Sequence, residues 1–411
     1  MSTIKISQLP NSGALTGTEV LPIVQSNTTV KTTVQDVANL AGGIIAVGAG
    51  SCSTVRVGNS NTASGACSTV SGGQCNTASG SFSTVGGGYN NNADGGYSTV
   101  GGGINNTANG NCSTIGGGEG NTALGLVSTI GGGFENCAYG NCSTVGGGKN
   151  NSSSGCYSTI GGGRNNCSSN YNSTVGGGYN NIASGVCSTI GGGVGNIASG
   201  YNSTIGGGGY LGESAEPNCA TAFASTVGGG RSNTASGNTS TISGGRGNIA
   251  SGCFSTVGGG SGNTASRYGS TVGGGVSNTA SGTCYAFTTV GGGVGNMASA
   301  NYSTVGGGRY NTSSGCQSTV GGGRLNVASG IYSSILGGCY NIASGGNSSI
   351  VGGIANCNAC CNSIIVGSCI TADRVCTTFV NNLSIMNIPT SSLGLPSGVV
   401  WKELETLKIV S

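Results

Sequence analysis

An all-β chain wound as a parallel β-solenoid is the fold class this sequence predicts, and three observations carry the prediction. First, an apolar Val or Ile recurs every fifteen residues, from Val55, Val70 and Val85 through Ile205. The series resumes at Val227 to Val272 and again at Val290 to Ile365, which makes twenty-one units with two breaks in phase. Second, each unit sets that residue in the same glycine pattern, as in STVGGGYNNNADG from Ser83 to Gly95. A short fixed period is the signature of supersecondary units that bury a core only by stacking. Third, Gly makes up 88 of 411 residues and Pro only 5, so a collagen helix, which needs much proline and glycine at every third position, is excluded. A flexible Gly/Ser linker is excluded as well, because it has no reason to hold an apolar residue in phase.

Charge and chemistry narrow the functional classes. Charged residues are 6% of the chain and the net charge of +3 is spread out, so no nucleic-acid partner is expected. No apolar run approaches the ~18 residues of a membrane span, and Ile4-Lys5-Ile6-Ser7-Gln8-Leu9-Pro10 does not read as a secretory signal; no membrane insertion is expected. The chain has no His and only 10 acidic residues without a clustered acid–base pair, so no catalytic residue and no enzymatic activity are expected. The 19 cysteines lack a zinc spacing, so neither a metal nor a cofactor is expected. Cys52, Cys67 and Cys112 share their place in the repeat with Phe82, Tyr97 and Val127, which predicts free thiols packed as small buried hydrophobes. The Cys357, Cys360, Cys361 cluster reads as packing at a coil end.

In chain order, residues 1–43 form a small attachment or cap module. Thr3 to Ser7 alternates as a short strand, and Leu21–Val24 and Thr28–Lys31 read as two more. Thr33 and Asp36 form a capping box for a short helix with Val34, Val37 and Leu40 on one face, stopped at Gly42.

Residues 44–371 are the solenoid shaft. Period two places Val85 and Gly87 on one inward face and Asn91 and Ala93 on another, stacked on Val100, Asn106 and Ala108 of the next unit. A side-chain amide donates in one direction and accepts in the other, so the Asn column is expected to be a structural ladder. Ser53-Thr54 and its copies form a further column of hydroxyls, and a flat outward array of that kind gives the ice-binding alternative. With Gly87 in place of a large aliphatic, one coil buries little apolar area against about 1–2 kcal/mol of backbone entropy per residue, so several chains are expected to associate.

Two insertions break the phase. The first holds Tyr210, Leu211, Glu213 and Glu216, and the second holds Tyr285 and Phe287; insertions in solenoids emerge as loops on one face. These six residues and Trp401 are the candidate binding residues. Residues 372–411 are a cap or tip, with strands at Thr377–Val380 and Leu383–Ile388 and a closing hairpin of Val399–Lys402 and Leu407–Val410.

Two resemblances add to this reading. The unit VGGGxxNxAxG is similar to the head repeat of YadA-like trimeric adhesins, roughly VAIGxxAxAxG, with Val85, Gly88, Ala93 and Gly95 on matching positions. Gly87 stands where that family has an inward Ile, and Asn91 where it has an inward Ala. The resemblance implies a left-handed β-roll and a stiff homotrimer. The ends, ISQLP with LTGTEVLPIVQ and NIPTSSLGLPSGVVW with LKIV, resemble those of phage and large-virus fibre proteins. That implies a structural fibre of a virion, assembled in the host cytoplasm. It would be joined to other virion proteins through the N-terminal module and present a host-surface glycan or protein receptor with its loops and tip. An extracellular self-assembling filament or surface adhesin is the alternative.

Overall fold

The computed structural model describes residues 20–25, 28–33, 45–56, 60–209, 216–283, 287–383, 400–403 and 406–409. It is an all-β parallel solenoid of about 21 coils, with no helix among the described residues. The chain divides into two compact units, Met1–Thr239 and Ser240–Ser411. The first winds the coils anchored from Val55 to Val227, the second those from Ile242 to Ile365.

One coil shows how the sequence dictates this winding. Thr84–Val85 lies parallel to and in register with Thr99–Val100, and Asn92–Ala93 with Thr107–Ala108. A single bridge joins Tyr89 to Ile104 at the corner between them. In the strands, N–H groups donate to the following coil, as from Thr84 to Ser98 O (2.9 Å) and from Asn92 to Asn106 O (2.7 Å). At the two corners the direction reverses: Asn90 donates to Gln74 O (3.0 Å) and Tyr97 to Ser81 O (2.8 Å) of the preceding coil. The reversal follows from left-handed backbone at those residues, with φ 55° at Asn90 and 59° at Tyr97.

Val85 and Ala93 are 0% exposed, and their stacked copies form the apolar interior. The glycine that this interior requires is Gly88. Its φ is +91°, and a Cβ there would stand 2.1 Å from Gly103 O and 2.7 Å from the Asn91 amide nitrogen. Gly87 differs. Its nearest neighbour to a Cβ would be Gly72 O at 3.9 Å, so it does not take the inward place expected of it. The physical reason is the corner: the left-handed Gly88 turns the chain there, and strand alternation does not extend past Gly86.

The edges are treated differently from the middle. Ile45–Val47 lies antiparallel on Thr54–Arg56 and covers the first rung. At the other end, the strand expected at Thr377–Val380 is Thr378–Val380, and it adds one more parallel rung to Ile364–Val366. The strands expected at Leu21–Val24 and Thr28–Lys31 are Val20–Gln25 and Thr28–Thr33, which pair antiparallel, and the closing hairpin is Val400–Glu403 with Thr406–Ile409. The strand expected at 3–7, the helix expected at 34–40 and residues 384–388 of the strand expected from Leu383 lie outside the described residues.

Candidate functional site

The Asn column is the most completely bonded part of the molecule. Asn106 is 0% exposed, and its amide nitrogen donates to Gly102 O (3.0 Å), Gly118 O (2.8 Å) and Asn91 Oδ1 (3.0 Å). Its Oδ1 accepts from the backbone N–H and the amide nitrogen of Asn121, each at 3.0 Å. Every polar atom of the side chain is thus engaged, and the bonds run both along the axis and across the glycine corner. Insertions do not interrupt the column. Asn218, on the far side of the first loop, donates its N–H to Asn196 Oδ1 at 3.1 Å. That loop leaves at the corner after the triple glycine, while the second leaves at the corner before the buried Ser/Thr position, Thr288.

A second interior column is serine. Ser83, Ser98 and Ser113 are 0% exposed. Sequence reasoning grouped them with the outward threonines and missed them, although alternation counted backwards from Val85 puts Thr84 outside and Ser83 inside. Most of these hydroxyls, including those of Ser83 and Ser98, have no hydrogen-bond partner. Ser53 of the first rung donates to Gly50 O (2.7 Å) and Ala63 O (3.1 Å), and within the stack two circumstances supply a partner. Where the facing alanine is replaced by serine, the two hydroxyls bond, as Ser153 to Ser158 at 2.6 Å. Where the corner glycine is replaced, the serine caps the corner: Ser225 donates to Ala222 O (2.8 Å) and accepts from Ala222 N–H (3.2 Å). Arg267 with Ser270 and Ala300 with Ser303 repeat this arrangement.

The slot shared by cysteines and aromatics is not buried. Cys52, Cys67 and Cys112 are exposed, as are Phe82, Tyr97 and Val127. These residues occupy the left-handed corner position, with φ from 53° to 59°, and that backbone turns the side chain outward. The described cysteines are free thiols, as expected, but those of this slot are not packed in the core. Cys167 and Cys219 lie elsewhere, on a strand, and burial pushes both thiols above their usual pKa, which makes them poor nucleophiles. Cys360 of the CxxCC cluster directs its thiol at Ala372 O (3.3 Å). Among the described residues no group of three or more His, Cys, Asp or Glu side chains converges as a metal site.

Of the candidate binding residues, Tyr210, Leu211, Glu213 and Tyr285 lie outside the described residues. Glu216 forms an ion pair with Arg231 at 3.2 Å. Trp401 lies on the strand Val400–Glu403, opposite Lys408. Phe287 belongs to a ring column at the corner: its ring is T-shaped to Tyr268 (5.3 Å) and stacked with Tyr302 (5.8 Å). Phe254 extends the run below Tyr268 at 5.4 Å. The rings spend much of their faces on one another, which favours an edge-presenting ridge over a platform for stacking a sugar. At the other corner, Lys149 lies over Phe134 (4.6 Å) and Arg164 over Tyr179 (5.5 Å), so these cations are held along the column by aromatic faces.

The geometry therefore holds a fully bonded interior ladder, a conditional serine column, and outward corners that accept residues of every class. No protein-family model and no curated protein matches this sequence.

Proposed function

We propose that the chain is the non-enzymatic shaft of a virion fibre, assembled as a homotrimer. Residues 1–43 would attach it to other virion proteins, and its loops and C-terminal tip would meet a host-surface glycan or protein. The observation that carries this reading is the division of labour in each coil. The interior repeats one interlock, Val or Ile, a small residue that is mostly Ala, and a fully bonded Asn, while the outward side chains at the left-handed corner positions vary. A stack of identical interlocked rungs resists bending and shear, and variable corners decorate it without loosening it. The resemblance of both ends to fibre proteins supplies the virion setting.

The test is mass in solution together with electron microscopy of the purified full chain. Discrete trimers seen as straight particles of uniform length support the shaft. Open-ended polymers would replace it with the self-assembling filament, and a monomer would end both.

A further inference from the structure

Within each unit one sheet face is uniform over most coils, and the single chain does not explain why. Its outward strand column is threonine in every coil of the first unit, from Thr54 to Thr226, and from Thr241 to Thr319 in the second. The corner column beside it runs instead Gln74, Tyr89, Ile104, Glu119, Phe134, Lys149, so outward positions are not uniform by default. The middle glycine of the triplet, which follows that strand, is glycine in every coil from Gly72 to Gly367. At Gly162, Gly192, Gly274, Gly322, Gly337 and Gly352 a Cβ would meet nothing within 4 Å. None of those six has a left-handed φ. Elsewhere in the column Gly87, Gly132, Gly147 and Gly259 have φ of 150–158°, which favours glycine, and the first coil sets Val57 there, but at those six positions neither sterics nor backbone conformation within the chain asks for glycine.

A second observation lies on the same face. In the last three coils the first glycine of the triplet becomes Leu336, Val351 and Val366, and the threonine becomes Ile364. These side chains are exposed by 64%, 45%, 44% and 41%. A cluster of exposed aliphatics on successive rungs marks a surface that is covered in the working molecule.

We infer that this threonine–glycine face packs against the same face of other copies of this chain, about a shared axis. This rests on the oligomeric shaft proposed above and names the surface that builds it. The occupant is another copy because the face repeats at the coil spacing, about 4.8 Å, and a parallel copy presents the same period rung for rung. Glycine is then required for the reason it is required in a collagen triple helix, where chains crowd an axis and a side chain has no room. The aliphatic rungs close one end of the contact.

The test uses the full chain with paired substitutions Gly162→Gln and Gly192→Gln, which the isolated coil accommodates, and Ile104→Gln on the variable corner as the control. Sedimentation equilibrium should show the glycine variant reduced to the mass of a single chain with unchanged β circular dichroism. The control should keep the wild-type mass. Hydroxyl-radical footprinting of the wild type gives an independent reading: Leu336, Val351 and Val366 should react several-fold more slowly than the exposed Leu126. An oligomer that survives the glycine substitutions overturns the inference and leaves the oligomeric shaft standing. If the glycine variant misfolds, the footprint decides, and full reactivity at the three aliphatics overturns it. A wild-type chain that is itself a monomer removes both readings, and ice shaping by that monomer would assign the face to ice.

Discussion

Asn106 and Ser98 are both polar and both 0% exposed, yet the first has every hydrogen-bonding atom engaged and the second has a hydroxyl with no partner. The difference lies in where each column finds its bonds. The Asn amide bonds to the coil before it and the coil after it, so each member completes its neighbours and a gap would expose atoms on both sides. Past the first rung, where Ser53 also reaches Ala63 O of the next coil, the serine bonds within its own coil, and only when its corner or the facing residue changes. One column is therefore obligatory in every rung. The other is a reserve that lets the corner exchange glycine for Asn170, Ala222, Arg267 or Ala300. A repeat built on both stays rigid while its corner sequence drifts.

The largest effect is expected from breaking the obligatory column. Asn106→Ala removes the acceptor of the Asn121 N–H and amide nitrogen, and the donor to two glycine carbonyls. Each buried group left unpaired costs about 1–3 kcal/mol, so a total of about 3–5 kcal/mol is expected. Since rungs couple to their neighbours, the loss should appear as faster amide exchange at Asn106, Asn121 and the coils beside them before global unfolding. Protection unchanged from wild type would show that the ladder does not hold the shaft.

Much of this was legible before the structure. The period, the Val and Ala interior and the Asn ladder follow from spacing alone, because identical rungs force identical residues into phase, while the strands of the two terminal hairpins follow from short apolar runs bounded by turn residues. What escaped was decided by backbone conformation. Tyr97 and Cys112 read as hydrophobes of the core, but a left-handed corner points them outward, and no composition rule marks Tyr or Cys as left-handed residues. Gly87 read as inward because alternation was carried across a corner. Ser83 was misplaced because its neighbour Thr84 is outward and the two were taken together. Of the candidate site, Phe287 fell in an aromatic column that the sequence shows only when the corner positions are aligned across the insertion.

A smaller effect is expected where the serine reserve is in use. Ser225→Ala deletes the bond to Ala222 O and leaves the Ala222 N–H without its acceptor. About 1–2 kcal/mol should be lost, read as a lower denaturant midpoint at fixed protein concentration. Restoring glycine at the corner should rescue it. In the double variant Ala222→Gly with Ser225→Ala, the corner N–H regains the carbonyl that Gly80 uses, as Gly80 donates to Ala93 O at 3.2 Å.

The smallest effect separates the two columns most sharply. Ser98→Ala removes a hydroxyl that has no hydrogen-bond partner and faces Ala93 across a glycine corner. Nothing else loses a bond. The variant sheds the desolvation cost of a buried, unpaired hydroxyl and gives up the few van der Waals contacts of one oxygen, two small quantities of opposite sign. The unfolding free energy read from the midpoint should shift by less than about 0.5 kcal/mol in either direction. The partner experiment reverses the chemistry: Ala93→Ser recreates the pair seen at Ser153 and Ser158 and should stabilise that coil by up to about 1 kcal/mol. If Ser98→Ala instead cost as much as Ser225→Ala, the idle hydroxyls would be bonded in solution, and the serine column would be as obligatory as the asparagine one.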